Sequence, residues 1–243
     1  MTVRLGFLVP PANPTVEDEM ITLARAARPG TICVHFTRMA MPQDPAHTLE
    51  ERNRCHIANL RETARLVAMV KPDVIVMAHT VLSYMMGRDS EAETTARIER
   101  ETGARFISAF GSVRAALAHL GARRIAFAAP YAAASTAMGK AALQEHGFEV
   151  VNAGHLDVKD VYATTAEDAY ALGSRVDRPE AEALVLSGTG MPVLGAIERL
   201  EHELGKPIVA AAAATMWNAL RIAGYRNPLN GFGRLLRING KLL

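Results

Sequence analysis

The chain has only two cysteines, Cys33 and Cys55, in 243 residues. That is too few for a disulfide framework, and neither stands in a Cys-x-x-Cys or mixed Cys/His spacing that would hold a metal. No metal site is read, and a reducing cytoplasm is the expected setting. Charge of one sign is lacking as well: 27 Lys and Arg stand against 25 Asp and Glu, with no long run of either. Tracking phosphates needs a concentrated basic face, so nucleic acid is not an expected partner. No long hydrophobic run occurs either. The first apolar stretch stops at Pro10 and Pro11, far short of the roughly 20 residues that span a bilayer and too short for an export signal. A membrane partner is therefore not expected. Several motifs are also missing. No Gly-x-Gly-x-x-Gly follows the first strand, and there is no phosphate-binding Gly-x-x-x-x-Gly-Lys, no Gly-x-Ser-x-Gly elbow and no His-Glu-x-x-His. Dinucleotide, nucleoside-triphosphate, ordinary α/β-hydrolase and zinc-protease readings thus lack their defining residues.

What is present is an alternation of short apolar runs with longer helical periodicity. Strands are expected at 3–9, 31–36, 74–77, 124–128, 149–152, 183–186 and 207–210, and helices at 15–27, 48–70, 90–102, 111–120, 132–145, 165–176, 192–204 and 215–223. Gly103, Gly121, Gly147, Gly205 and Gly224 fall where helix C-caps are expected, and Thr15 with Asp18 reads as a capping pair. This is the βαβ pattern of parallel sheets, an α/β fold.

The two halves resemble each other. Val74-Ile-Val-Met-Ala-His-Thr80 can be laid over Ala183-Leu-Val-Leu-Ser-Gly-Thr189, and Arg105-Phe-Ile-Ser-Ala109 over Pro207-Ile-Val-Ala-Ala211. Two pseudo-symmetric α/β halves follow, the first covering residues 1–108 and taking back 215–243, the second covering 109–214. The tail after Tyr225 is expected to be a lid, an oligomer contact or a docking arm.

Ligands of parallel α/β sheets sit outside the carboxyl ends of the strands. Those ends bring Pro11 and Asn13, then His79, Thr80 and Val81, then Tyr131, and finally Ser187, Gly188, Thr189 and Gly190 to one cleft. The set is rich in hydroxyls, amides and glycine N–H groups at expected helix starts, which suits a carboxylate or an enediolate. His79 is the one conventional titrating group among them, and an imidazole near its ordinary pKa of about 6.5 is matched to proton transfer at neutral pH. The other histidines, His56 included, are read as unclustered. Arg38 is read either as a carboxylate ligand or as half of an ion pair with a helix acid.

With Leu8-Val-Pro-Pro-Ala-Asn13, Ala78-His-Thr80, Ala129-Pro-Tyr131, Leu186-Ser-Gly-Thr189 and Ala214-Thr-Met-Trp217 in order at strand ends, the chain resembles the aspartate/glutamate racemase superfamily, in its maleate cis-trans isomerase and arylmalonate decarboxylase branch. The resemblance implies two facing flavodoxin-like (Rossmann-like) halves with the active site between them, no organic or metal cofactor, a small carboxylic acid as substrate and a homo-oligomer. It also implies a cysteine at one or both of two symmetric strand ends. This sequence has His79 and Gly188 there. The expected activity is therefore a cofactor-independent lyase or isomerase working through an enediolate-like intermediate, with catalytic His79, Tyr131 and Thr189. Pro11, Asn13, Thr80, Val81, Ser187, Gly188 and Gly190 are expected around the substrate. The alternatives are a hydrolase in which His79 activates water or Thr189, and a catalytically silent carboxylate-binding homologue.

Overall fold

A computed structural model describes residues 2–238. Eight parallel strands form two four-stranded sheets. The first holds β1 (Val3–Val9), β2 (Ile32–Arg38), β3 (Val74–Met77) and β4 (Arg105–Ser108) in the order β2-β1-β3-β4. The second holds β5 (Arg124–Ala129), β6 (Glu149–His155), β7 (Ala183–Leu186) and β8 (Ile208–Ala210) in the order β6-β5-β7-β8. The equivalent orders are the physical form of the internal resemblance seen in the sequence. β3 and β7 are buried at every position, as uninterrupted apolar runs in doubly covered parallel sheets should be.

The helices are α1 (Thr15–Arg25), α2 (Leu49–Ala58), α3 (Leu60–Ala68), α4 (Thr80–Thr102), α5 (Ala109–His119), α6 (Ala133–Glu145), α7 (Ala166–Val176), α8 (Leu194–Leu204), α9 (Ala211–Ile222) and α10 (Arg234–Arg237). One core runs from β1 and α1 through α5 and α9 into the second sheet, and a smaller one lies beneath α3 and α4 around Ile75, Met77 and Leu82. α9 packs against α5 and also touches α1, β3 and β8, so it ties the two sheets together.

Four expectations change. The segment 48–70 is two helices, because Asn59 leaves helical geometry (φ −101°, ψ 4°) between α2 and α3. α4 begins at Thr80 rather than Ser90 and is interrupted at Gly87, whose φ of 71° only glycine adopts readily. β4 is a strand that its short, polar-edged run concealed. Thr15 and Asp18 do not form a capping pair: the Thr15 hydroxyl donates to the Gly190 carbonyl at 2.9 Å, and the Val16 N–H donates to Asn13 Oδ1 at 3.2 Å. The described part of the tail is a docked arm, with Leu229, Leu235 and Leu236 buried and the Arg234 N–H donating to Glu201 at 2.7 Å. The last residues of that tail lie outside the described residues.

Candidate active site

A cavity of about 330 Å³ lies at the carboxyl ends of both sheets. The loop after β1 supplies Pro10 and Asn13, the end of β3 supplies His79 and Val81, the end of β5 supplies Tyr131, and the loop after β7 supplies Thr189 and Gly190. Six of the ten expected residues therefore line it: His79, Tyr131, Thr189, Asn13, Val81 and Gly190. The other four sit behind the wall. Pro11 faces a small adjoining void, while Thr80, Ser187 and Gly188 serve the lining residues.

That service is a chain of hydroxyls running between the halves. Ser187 Oγ and Tyr84 Oη are 2.8 Å apart, Tyr84 is hydrogen-bonded onward to Thr80, and Thr80 Oγ1 lies 3.4 Å from Tyr131 Oη. The Thr189 N–H donates to Tyr131 Oη. Burial pushes the Tyr84 phenol up to about 12 and raises that of Tyr131 further, so both stay protonated and present neutral O–H groups.

Two expected donors are already committed. The Thr189 hydroxyl donates to the Ala78 carbonyl at 2.8 Å, and the Asn13 side-chain N–H donates to the Thr189 carbonyl at 3.1 Å. Both stitch the halves together, and Asn13 keeps one free N–H for the cavity. The helix expected directly after Gly190 starts only at Leu194, and its first N–H groups are taken: Val193 and Leu194 donate to Glu19 Oε1 at 2.6 and 2.9 Å. The anion-binding helix start expected on this side is thus closed by Glu19, whose carboxyl burial pushes up to about 7. On the other side the N-terminus of α4 has no side-chain cap, and Val81 in its first turn lines the cavity. Arg38 forms the ion pair rather than a ligand site: it meets Glu17 at 2.6 Å and donates to the Pro10 and Asn13 carbonyls at 3.2 and 2.8 Å.

His79 is not near its ordinary pKa. Burial, then the neighbouring His56 ring, then the Arg52 guanidinium push it down to about 3. It is a neutral imidazole at physiological pH. The expectation that His56 stands apart is also corrected: the two rings meet edge to face with centroids 5.8 Å apart. Sequence reasoning missed the whole cavity face of α2. Arg52 lines the cavity with no ion-pair partner among the described residues, and Asn53, 3% exposed, stands in the same wall with a buried side-chain oxygen that has no hydrogen-bond partner among the described residues. The only available signal was the i, i+4 spacing that puts Arg52 and His56 on one helix face. Lys159 and Tyr162 line the cavity from the segment after β6. Neither cysteine lines the cavity: Cys33 is in β2, and Cys55 contacts the Ala40 carbonyl at 3.8 Å. Among the described residues no three His, Cys, Asp or Glu side chains gather as metal ligands, and no helix is long and apolar enough to cross a membrane.

Residues 5–236 match the arylmalonate decarboxylase family. A maleate isomerase of Nocardia farcinica is 31% identical, with 96% of this chain and 95% of the relative covered. An arylmalonate decarboxylase of Bordetella bronchiseptica is 28% identical over 74% of this chain and 77% of its own. Among solved structures, a cysteine-to-serine variant of the Nocardia farcinica maleate cis-trans isomerase, carrying a covalently bound succinylcysteine intermediate, superposes with a TM-score of 0.88 at 29% identity, covering 98% of this chain and 99% of that one.

Proposed function

The chain belongs to the arylmalonate decarboxylase family, an isomerase or decarboxylase by its relatives, and we propose that it acts on a small carboxylic acid through an enediolate, with His79 moving the proton. The observation that supports this most is the placement of His79 at the end of β3, facing the same cavity as the Tyr131 hydroxyl and the uncapped start of α4.

One substrate carboxylate would accept from the Tyr131 O–H and from first-turn N–H groups of α4. As charge builds on its oxygens, these fixed donors and the helix dipole stabilise it more than they do the ground state. In a decarboxylation the bond to the departing carboxylate breaks, its electron pair delocalises into the retained carboxylate as an enediolate, and His79 delivers a proton to the carbon. A bound anion next to the ring favours the charged imidazolium and so raises its pKa from the low ligand-free value. The departing carboxylate, or a second one, would face Arg52.

Proton chemistry fits this cavity better than the thiol addition that a succinylcysteine adduct records in the Nocardia relative, because no cysteine lines it. The hydrolytic alternative gains nothing, since the Thr189 hydroxyl is turned to a carbonyl rather than to a base. The test is product analysis with maleate and phenylmalonate as separate substrates, wild type against His79→Ala. Decarboxylation or isomerisation by the wild type that His79→Ala loses supports the reading, and equal activity of the two overturns it.

A further inference from the structure

α4 is broken at Gly87, whose φ of 71° and ψ of 172° lie outside helical geometry. On an unbroken helix positions 83 and 91 would stand about 12 Å apart along the axis, at 1.5 Å per residue, beyond what a serine and a glutamate side chain can bridge. Here the Ser83 hydroxyl donates to Glu91 Oε1 at 2.6 Å. The bond therefore exists only because the helix is broken between its two partners, and it closes directly over that break. Packing at Gly87 itself does little to fix the bend, since no atom lies within 4 Å of where a Cβ would stand.

Both partners are buried, Ser83 at 3% and Glu91 at 7% exposure. A carboxylate in such a place is costly unless charge and hydrogen bonds offset its lost water, and an apolar side chain of similar volume would fill the space as well or better. What an apolar side chain could not do is accept the Ser83 hydroxyl. The second Glu91 oxygen faces Arg114 Nη2 at 3.8 Å, and Arg114 Nη1 lies 3.0 Å from His146 Nδ1. Through Arg114 on α5 and His146 at the C-terminal end of α6, the far side of the break is tied to the rest of the molecule.

We propose that Glu91 is a positioning residue for the active site: by clasping Ser83 across the Gly87 break, it holds segment 80–86 in place against the cavity. The inference rests on the proposed role of that site. His79 immediately precedes this segment, Thr80 Oγ1 lies 3.4 Å from Tyr131 Oη, Val81 lines the cavity, and Tyr84 reaches Ser187 of the second sheet at 2.8 Å. A swing of the segment about Gly87 would displace all of them together, and a misplacement of about 1 Å can cost on the order of a hundredfold in rate. Glu91 does not line the cavity and is not a catalytic residue.

The test uses the full-length protein in wild type, Glu91→Ala, Glu91→Gln and Ser83→Ala. Ser83→Ala breaks the same bond while leaving the Arg114 pair, and so covers failure of Glu91→Ala to fold. Without ligand, both alanine variants should speed amide hydrogen exchange over residues 80–90 by about tenfold or more while β5 and β7 keep their wild-type rates. They should also shift the ring nitrogen-15 signals of His79. With maleate and phenylmalonate as separate substrates, kcat/KM should fall about 10–100-fold in both alanine variants. Glu91→Gln, whose amide oxygen still accepts the Ser83 hydroxyl, should restore most of the exchange protection and of the rate. Wild-type exchange over 80–90 in a folded alanine variant would overturn the clasp, and faster exchange with unmoved His79 signals and unchanged kcat/KM would reduce Glu91 to a structural residue and overturn the proposal. Exchange and spectra are read without substrate, so failure of the clasp is distinguishable from failure of the proposed function, which is judged on His79→Ala.

Discussion

The Tyr131 phenol occupies the space that any side chain at Gly188 would need: a Cβ there would lie 2.6 Å from Tyr131 Oη and 3.0 Å from Pro130 Cδ. Gly188 also has φ +91°, a conformation that L side chains rarely adopt. A thiol at this strand end and a phenol held by the Thr189 N–H are therefore mutually exclusive in this packing. The chain has the phenol.

Gly188→Cys should accordingly not create an active thiol without cost. Clash and backbone strain together should cost about 2 kcal/mol or more, a fall in Tm of about 4–8 °C for a chain of this size. Gly188→Cys with Tyr131→Phe should recover part of that loss, since the closest atom is gone. Thermal denaturation of the single and double variants reads both, and additive losses would show that the two residues do not compete.

Tyr131→Phe removes the cavity-facing donor of the hydroxyl chain. Loss of one oxyanion donor typically costs about 10²–10³ in kcat. Tyr84→Phe leaves the buried Ser187 hydroxyl without its 2.8 Å partner and should act chiefly on stability, by about 1–3 kcal/mol. Steady-state kinetics and denaturant unfolding of the two variants separate the roles, and the reverse pattern would refute this division.

Arg52 has no ion-pair partner among the described residues, so Arg52→Gln should fold as well as wild type. Charge-assisted bonds to a carboxylate are worth about 1.5–3 kcal/mol, which predicts about a 10–100-fold loss in kcat/KM for a substrate with two carboxylates. A substrate analogue with one carboxylate should lose little. Equal losses for both would remove Arg52 from substrate recognition.

Stability should carry two opposed pH dependences. His79 and His56 have folded pKa values of about 3 and 4, below the unfolded value of 6.5, so the unfolded chain binds more protons and stability is lost as pH falls from 6.5 toward 3. Glu19 is raised from 4.5 to about 7, so here the folded chain binds more protons and stability is lost as pH rises from about 4.5 to 7, by up to about 3 kcal/mol. Glu19→Gln should remove the second dependence and leave a stability that only rises with pH across this window. Urea unfolding at pH 5, 6 and 7 checks it; an unchanged pH profile in the variant would exclude Glu19 as the source.

The fold was legible because its signals are local and periodic. The apolar runs of β1, β3 and β7 are continuous, and Gly103 and Gly205 end helices in the left-handed conformation where they were expected to. Strand ends converge on one cleft in any fold of this topology, which is why His79, Tyr131 and Thr189 were found. What stayed hidden depends on contacts across the chain. Glu19 reaches the start of α8 from α1, Thr189 turns to Ala78, and His56 meets His79 from a helix with no strand-end position to mark it. The low pKa of His79 was invisible for the same reason, since it comes from burial and from two residues on α2.

The role of His79 is read by proton NMR of phenylmalonate turnover in deuterated buffer by wild type and His79→Ala. The wild type should release carbon dioxide and leave one deuterium at the α-carbon of the product, and the variant should leave none. Undiminished deuterium incorporation by His79→Ala would show that His79 does not move the proton.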